Sequence, residues 1–445
     1  MDTYRRLFAI ALPIIAQQFV TASLNLVSGL MIGQLGEVAV ASVGLSNQVY
    51  FLMTLLTFGI CSGAAIFTAQ LWGKGDVPNV RRVMGLSLIM SLLGAFIFFS
   101  LAVFLPRQVL NVYTVDPAVI DLGSQYLRIA GWSYLPTALS FSLSSTLRSA
   151  GFVRVPLLVS ISALSINTAL AYGLIFGNFG LPEMGVTGAA VSIVVARVLE
   201  CLGLFAVIWL RKLPLAGTPR QLWSFDLPFA RAVLTRALPV AANEILWSLG
   251  ITTYNIIYAR IGTQAVAAVN ITSSIESLAF VFFLGISDAT AIVVGQQIGA
   301  GEDDSAYDTA RNSLILGVGG ALVMGLLLYL LSGLILTLYK VSPEVIDYAR
   351  GILIVICCTL WLRVSNLTLF IGIFRSGGDT RFAFLLDALG VWLVGVPAAV
   401  IGAFVLHLPV YWVYLMVMAE EAAKWGFALR RFFTRRWMHN VTHTI

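Results

Sequence analysis

One pattern recurs along the chain: a run of about twenty or more mostly apolar residues, then a short polar stretch carrying Gly, Pro or basic residues. About 20 such residues wound as an α-helix cross the ~30 Å hydrocarbon layer of a bilayer. Runs of this length give twelve spans, six from 7–33 to 185–211 and six from 229–259 to 409–433. The spacing predicts an all-α integral membrane protein. Residues 212–228 carry Pro214, Pro219 and Pro228 between two long spans and suit a linker. The predicted organisation is a first lobe over 1–211, a cytoplasmic linker over 212–228, a second lobe over 229–433 and a cytoplasmic tail over 434–445.

The polar punctuation also shows that the chain is doubled. At a shift of 226, Ala11-Leu12-Pro13 falls on Ala237-Leu238-Pro239, Gly36 on Gly262, Gly59 on Gly285, Gln70 on Gln296, and Gly75 on Gly301. One residue is then added, and Arg148-Ser149-Ala150-Gly151 falls on Arg375-Ser376-Gly377-Gly378. An even number of spans returns each copy to its starting side, so the copies are parallel repeats about an axis along the membrane normal.

Composition agrees with the pattern: 59% of residues are hydrophobic and 11% charged, against about 25% charged in soluble domains. Basic residues gather at alternate segment ends. Arg5, Arg6, Lys74, Arg148, Arg211, Lys212, Arg311, Arg375, Arg430 and Arg431 share one side, while the other has little beyond Arg107, Arg260, Lys340 and Arg350. This bias places both termini in the cytoplasm of a multi-pass cell membrane protein, inner or plasma. The net charge of +6 therefore sets orientation and does not point to nucleic acid. Cys61, Cys201, Cys357 and Cys358 lie in apolar runs without metal-ligand or disulfide spacing. No nucleophile triad, phosphate-binding Gly loop or HExxH run is present, which argues against an enzyme, a cofactor or direct ATP coupling.

Candidate chemistry lies in the acids of the second half, because a charge deep in a bilayer costs at least a few kcal/mol unless it meets a partner, water or a proton. Glu244, Glu276, Asp288, Asp387 and Glu421 are the candidate ion-coupling residues. Glu244 follows Pro239 by five residues, where a missing N–H loosens the helix, and it is the first choice and the position for a bound Na+ if sodium is used. Glu276 and Asp288 are twelve residues apart, about 18 Å along a helix, and cannot form one dyad. Arg363 stands near mid-membrane and requires a carboxylate, Glu276 or Glu244; Asn366 follows on the same face. Lys424, at i+4 from Glu420 and i+3 from Glu421, accounts locally for one of those acids and leaves the other. Arg197 and Glu200 read as a local i,i+3 pair. Asn25, Tyr50, Tyr254 and Phe280 are candidates for lining a cavity for a flat cation, the rings through cation–π contact.

Several short runs resemble the MATE (multidrug and toxic compound extrusion) transporters: Ala11-Leu12-Pro13-Ile14-Ile15, Asn25-Leu26-Val27 before Ile32-Gly33-Gln34-Leu35-Gly36, the loop Gln70-Leu71-Trp72-Gly73-Lys74-Gly75-Asp76, and their second-half counterparts. The resemblance implies two six-helix lobes, alternating access, and export of organic, often cationic, solutes against inward H+ or Na+, by a chain functional as a monomer. It also places a functional glutamate near Glu244. Where many members carry an aspartate in the first span this chain has Ser28, which cannot titrate. A flippase for lipid-linked precursors is the rival within transport, without a basic cluster inside the spans to favour it; a non-transporting membrane receptor or scaffold is the rival outside it. The major facilitator fold is disfavoured because its Gly-x-x-x-Asp-Arg type loop is missing.

Overall fold

Each apolar run continues into a helix; several end at a Gly or before a Pro, and others at Lys212, His407 or Arg435, where φ turns positive. The computed structural model describes residues 2–337, 339 and 341–443; Lys340 and the end of the tail, 444–445, lie outside the described residues. Among the described residues there are twelve long helices. We label them α1 (Asp2–Gly33), α2 (Glu37–Lys74), α3 (Val77–Phe104), α4 (117–149), α5 (Arg154–Phe176) and α6 (Val186–Leu210), then α7 (Leu227–Ile261), α8 (Thr263–Gly299), α9 (Asp303–Thr337), α10 (Pro343–Phe374), α11 (Thr380–Val405) and α12 (Val410–Phe433). The protein is an all-α membrane protein of twelve helices in two lobes, as the spacing predicts.

Among the described residues, nine of these helices are long and apolar enough to span a bilayer. The other three fall short for separate reasons. A 3-10 turn at Gly131–Ser133 breaks α4 into segments of 14 and 16 residues. Helices α7 and α12 carry their own polar load: Asn243 and Glu244 in one, Glu420, Glu421 and Lys424 in the other.

The doubling is visible in the backbone. Gly75 ends α2 and Gly301 follows α8 with the same left-handed φ of 79°, which glycine adopts without a Cβ penalty. Contacts divide the chain into two units, Ala16–Ala241 on one hand and Met1–Ile15 with Ala242–His443 on the other. The breaks fall two residues after Pro13 in α1 and after Pro239 in α7, the same place in each copy. The 212–228 segment belongs to the Ala16–Ala241 unit, where Arg81 donates to the Pro214 carbonyl at 3.0 Å and Gly85 leaves room for Leu222.

In the Ala16–Ala241 unit, Gly59 of α2 lies against Ala241 of α7; in the other unit its counterpart Gly285 of α8 lies against Ile15 of α1. A Cβ at Gly59 would lie 2.5 Å from the Ala241 Cα, whereas at Gly285 it would meet chiefly the Ile15 side chain. Backbone cannot rotate away and a side chain can. Gly59→Ala is therefore expected to destabilise by about 1–3 kcal/mol and Gly285→Ala by less than about 1 kcal/mol, read from thermal unfolding in detergent. Equal costs would show that both contacts relax alike.

Candidate functional site

Helix α12 presents Glu420, Glu421 and Lys424 one turn apart, and α11 brings Asp387 to them. The Lys424 ammonium donates to Asp387 at 3.0 Å, to Glu420 at 3.1 Å and to Glu421 at 3.1 Å. Tyr254 of α7 donates its hydroxyl to Glu420, and Asn366 of α10 donates to the Glu421 carboxylate at 2.6 Å and to its carbonyl at 2.8 Å. Only 5% of the Lys424 side chain is exposed, so these charges act on one another with little screening by water. The local pairing expected between Lys424 and one glutamate is thus a three-carboxylate cluster. Three acids surround one base, leaving an excess of negative charge that one bound cation or proton reduces.

Room for the cluster comes from unusual backbone in α11, which widens to π-helix over Gly390–Gly395. A Cβ at Gly390 would come within 2.7 Å of the Lys424 stem, and one at Gly395 would collide with the Glu420 carboxylate and the Tyr254 hydroxyl. Such wide turns occur frequently at functional sites. Helix α10 also turns to π-helix, over Thr368–Phe374, just after Arg363 and Asn366.

Beside this cluster Arg363 pairs with Glu276 of α8, one of the two carboxylates that the sequence leaves open to it. Tyr414 of α12 donates to Glu276 at 3.3 Å, and the guanidinium lies 5.0 Å from the centre of the Phe280 ring. Phe280 therefore sits under an arginine of the protein itself, and Tyr254 is bound to Glu420. Asn366 faces Glu421. Asp288 is half-buried on α8 and engaged by a neighbour.

Glu244 is paired with Arg375, which follows the π-helical end of α10, at 2.6 Å, with 14% and 8% of the two side chains exposed. From the sequence Arg375 marks only a cytoplasmic segment end; nothing in the spacing brings it to Glu244, 131 residues earlier. The guanidinium thus engages the carboxylate that the sequence offers as the position for a Na+ if sodium is used. Among the described residues no group of three or more His, Cys, Asp or Glu is arranged to hold a metal ion.

The Ala16–Ala241 unit contains a cavity of roughly 500 Å³ that brings Asn25 of α1 and Tyr50 of α2 together with Tyr134 of α4, Asn167 of α5, and Arg197 and Glu200 of α6. Ser28 lies on its wall. The i,i+3 pair expected from the sequence is present, Arg197 donating to Glu200 at 2.7 Å, and Ser160 donates to the other carboxylate oxygen at 2.6 Å. What the spacing conceals is that this pair faces a cavity. The available signal was two opposite charges inside an otherwise apolar span, where one turn of lipid-facing helix has no use for either.

The MatE family model matches residues 13–173 and again 239–401, two copies at the shift of 226 by which the chain aligns with itself. The chain belongs to the MatE family. The match to MatE covers most of each half. Similar relatives include the probable multidrug resistance protein NorM of Rhizobium meliloti, 29% identical over 88% of this chain and 85% of its own, and the uncharacterized transporter YisQ of Bacillus subtilis, 27% identical over 97% and 94%. A solved variant of the Vibrio cholerae MATE transporter VcmN superposes with a TM-score of 0.90 at 18% identity, covering 99% of this chain and 98% of that one, which establishes the shared fold. Membership makes the protein a multi-pass membrane transporter of a drug-exporting class, and a non-enzyme reading fits. Ion-coupled antiport is typical of MatE proteins.

Removing one partner of a buried ion pair strands the other. Arg375→Met is expected to destabilise by about 3–5 kcal/mol in thermal unfolding, and the double change Glu244→Leu with Arg375→Met to recover most of the loss. A double variant as unstable as the single one would show that Arg375 holds the fold through other neighbours.

Proposed function

We propose that the protein is a secondary-active antiporter that exports organic solutes, organic cations among them, across the cell membrane in exchange for H+. It works as a monomer by alternating access of its two lobes. The observation that carries this reading is the excess of carboxylate over ammonium in the cluster of Asp387, Glu420, Glu421 and Lys424. Buried carboxylates in excess favour uptake of positive charge, and the amount they favour it changes when helices move and alter their distances. The position of Lys424 supports the proton over sodium. Its ammonium already occupies the point where the three carboxylates converge, which is where a sodium ion would seek its oxygens, whereas a proton needs no space there. Asp387 and Glu421 then carry the proton, with Lys424 moving between the carboxylates that remain charged.

The Glu244–Arg375 and Glu276–Arg363 pairs are each balanced. In this mechanism they position α7, α8 and α10 around the cluster, and Glu244, first choice from its sequence position, acts through Arg375. The solute occupies the cavity bounded by Asn25, Tyr50 and Arg197, where Tyr faces suit a flat ring. The multidrug resistance name of the Rhizobium meliloti relative supports a solute of drug-like size, and a cavity of roughly 500 Å³ is within the range of such ligands.

Purified protein in sealed vesicles tests the coupling. An imposed pH gradient without sodium is expected to drive solute flux with measurable proton movement, and Glu421→Gln to reduce that flux by about 5–150-fold, the span of ordinary coupling energies. Flux driven by a sodium gradient with pH clamped, and not by a pH gradient, would overturn the assignment of the ion.

A further inference from the structure

The segment after α12 is held more firmly than its place outside the helices requires. Arg435 turns the chain back with a φ of 55°, a left-handed conformation that a side chain disfavours. The return brings Trp437 to 0% exposure. Its ring stacks on Phe432 with centres 6.1 Å apart, and Phe432 stacks in turn on Tyr307 of α9 at 5.1 Å. Two residues on, the His439 N–H donates to the Gly377 carbonyl at 2.8 Å, and the Asn440 side chain donates to the Ile298 carbonyl, in the last turn of α8, at 3.1 Å. Segments outside a bundle fray unless burial and hydrogen bonds tie them down, and this one has both.

The turn on which it lands is the one that carries Arg375. A Cβ on Gly377 would stand 2.3 Å from the Trp437 carbonyl oxygen, so the segment lies directly against backbone two residues from the partner of Glu244. Phe374, on the other side of Arg375, is buried in the same apolar cluster as Trp437. The first copy supplies a contrast. At the shifts of 227 and 226, Gly377 falls on Ala150 and Glu244 on Gln18. The copy without an acid at that place thus carries a methyl group where this segment tolerates none. Room for the segment and need of a placed arginine occur together.

We propose that residues 437–443 form a strap that positions Arg375 for its pair with Glu244, with Trp437 as the positioning residue. A long, freely rotating side chain loses entropy on pairing, and fixing the backbone at its root lowers what remains to be lost. On the reading above, that pair sets α7 and α10 around the charge cluster, so the strap contributes to transport from a point outside the bundle.

An unfolding cycle on the full-length protein in nanodiscs separates positioning from covering. The quantity read is the drop in midpoint temperature caused by Arg375→Met. With the strap intact it is expected to be at least about twice the drop seen when Trp437→Ala or Gly377→Ala is already present, because a displaced strap has given up part of the pair beforehand. Trp437→Phe keeps a ring in the stack and should restore the full drop. Gly377→Ala carries the same comparison if Trp437→Ala is not recovered folded. Equal drops in every background would show that the segment only covers the end of the bundle, and would overturn the inference. In vesicles driven by whichever ion gradient moves solute through the unaltered protein, Gly377→Ala should also lower maximal flux by about fivefold or more. Unchanged flux would equally overturn the proposal. The unfolding cycle uses no gradient, so failure of the antiport reading is distinguishable from failure of the strap.

Discussion

A single ammonium held among three carboxylates inside a membrane domain is the constraint on which the second half of this protein depends. Each of these charges alone would be costly to bury, and the cost falls only when partners converge within hydrogen-bond distance. Lys424 meets Asp387, Glu420 and Glu421 because α11 gives up regular α-helix beside them and places Gly390 and Gly395 where any side chain would intrude. Tyr254 and Asn366 then tie α7 and α10 to the same cluster. Four helices thus share one electrostatic problem. Any change in the protonation of the cluster alters the forces among all four.

Duplication supplies the frame and divergence supplies the chemistry. Left-handed glycines, prolines in α1 and α7, and the close approaches of Gly59 and Gly285 recur in both copies. Arg375 has its counterpart in Arg148, but the buried acids and Lys424 do not recur. The position equivalent to Glu276 is Tyr50, and the position equivalent to Tyr254 is Ser28. One unit consequently keeps acids locked in a network, while the other keeps a cavity walled by tyrosines and amides. Selection for backbone packing acts on both copies alike because each helix pair must fit its neighbour. Gathering three carboxylates around one ammonium carries a cost that only one copy bears.

Most of the architecture was legible in the order of residues. Twelve apolar runs, the doubling at a shift of 226 and the need of Arg363 for a carboxylate all follow from properties local to a segment or periodic along the chain. The three helices that hydropathy treats worst, α4, α7 and α12, are polar or broken, and two of them contribute to the charge cluster. The partner of Glu244 was not legible. Arg375 comes from a turn 131 residues away whose nearest sequence signal is orientation in the bilayer.

The sequence by itself determined that the chain is a duplicated helical membrane protein, because hydrophobic length, helix punctuation and the bias of basic residues act on each segment separately. It also determined which costly residues must find partners, since the energy of a buried charge depends on its identity. Only the tertiary structure decided who those partners are: Arg375 for Glu244, three acids for Lys424, and an open cavity beside Arg197. The physical reason is that desolvation is a property of one side chain, whereas its relief is a property of which helix faces meet in space.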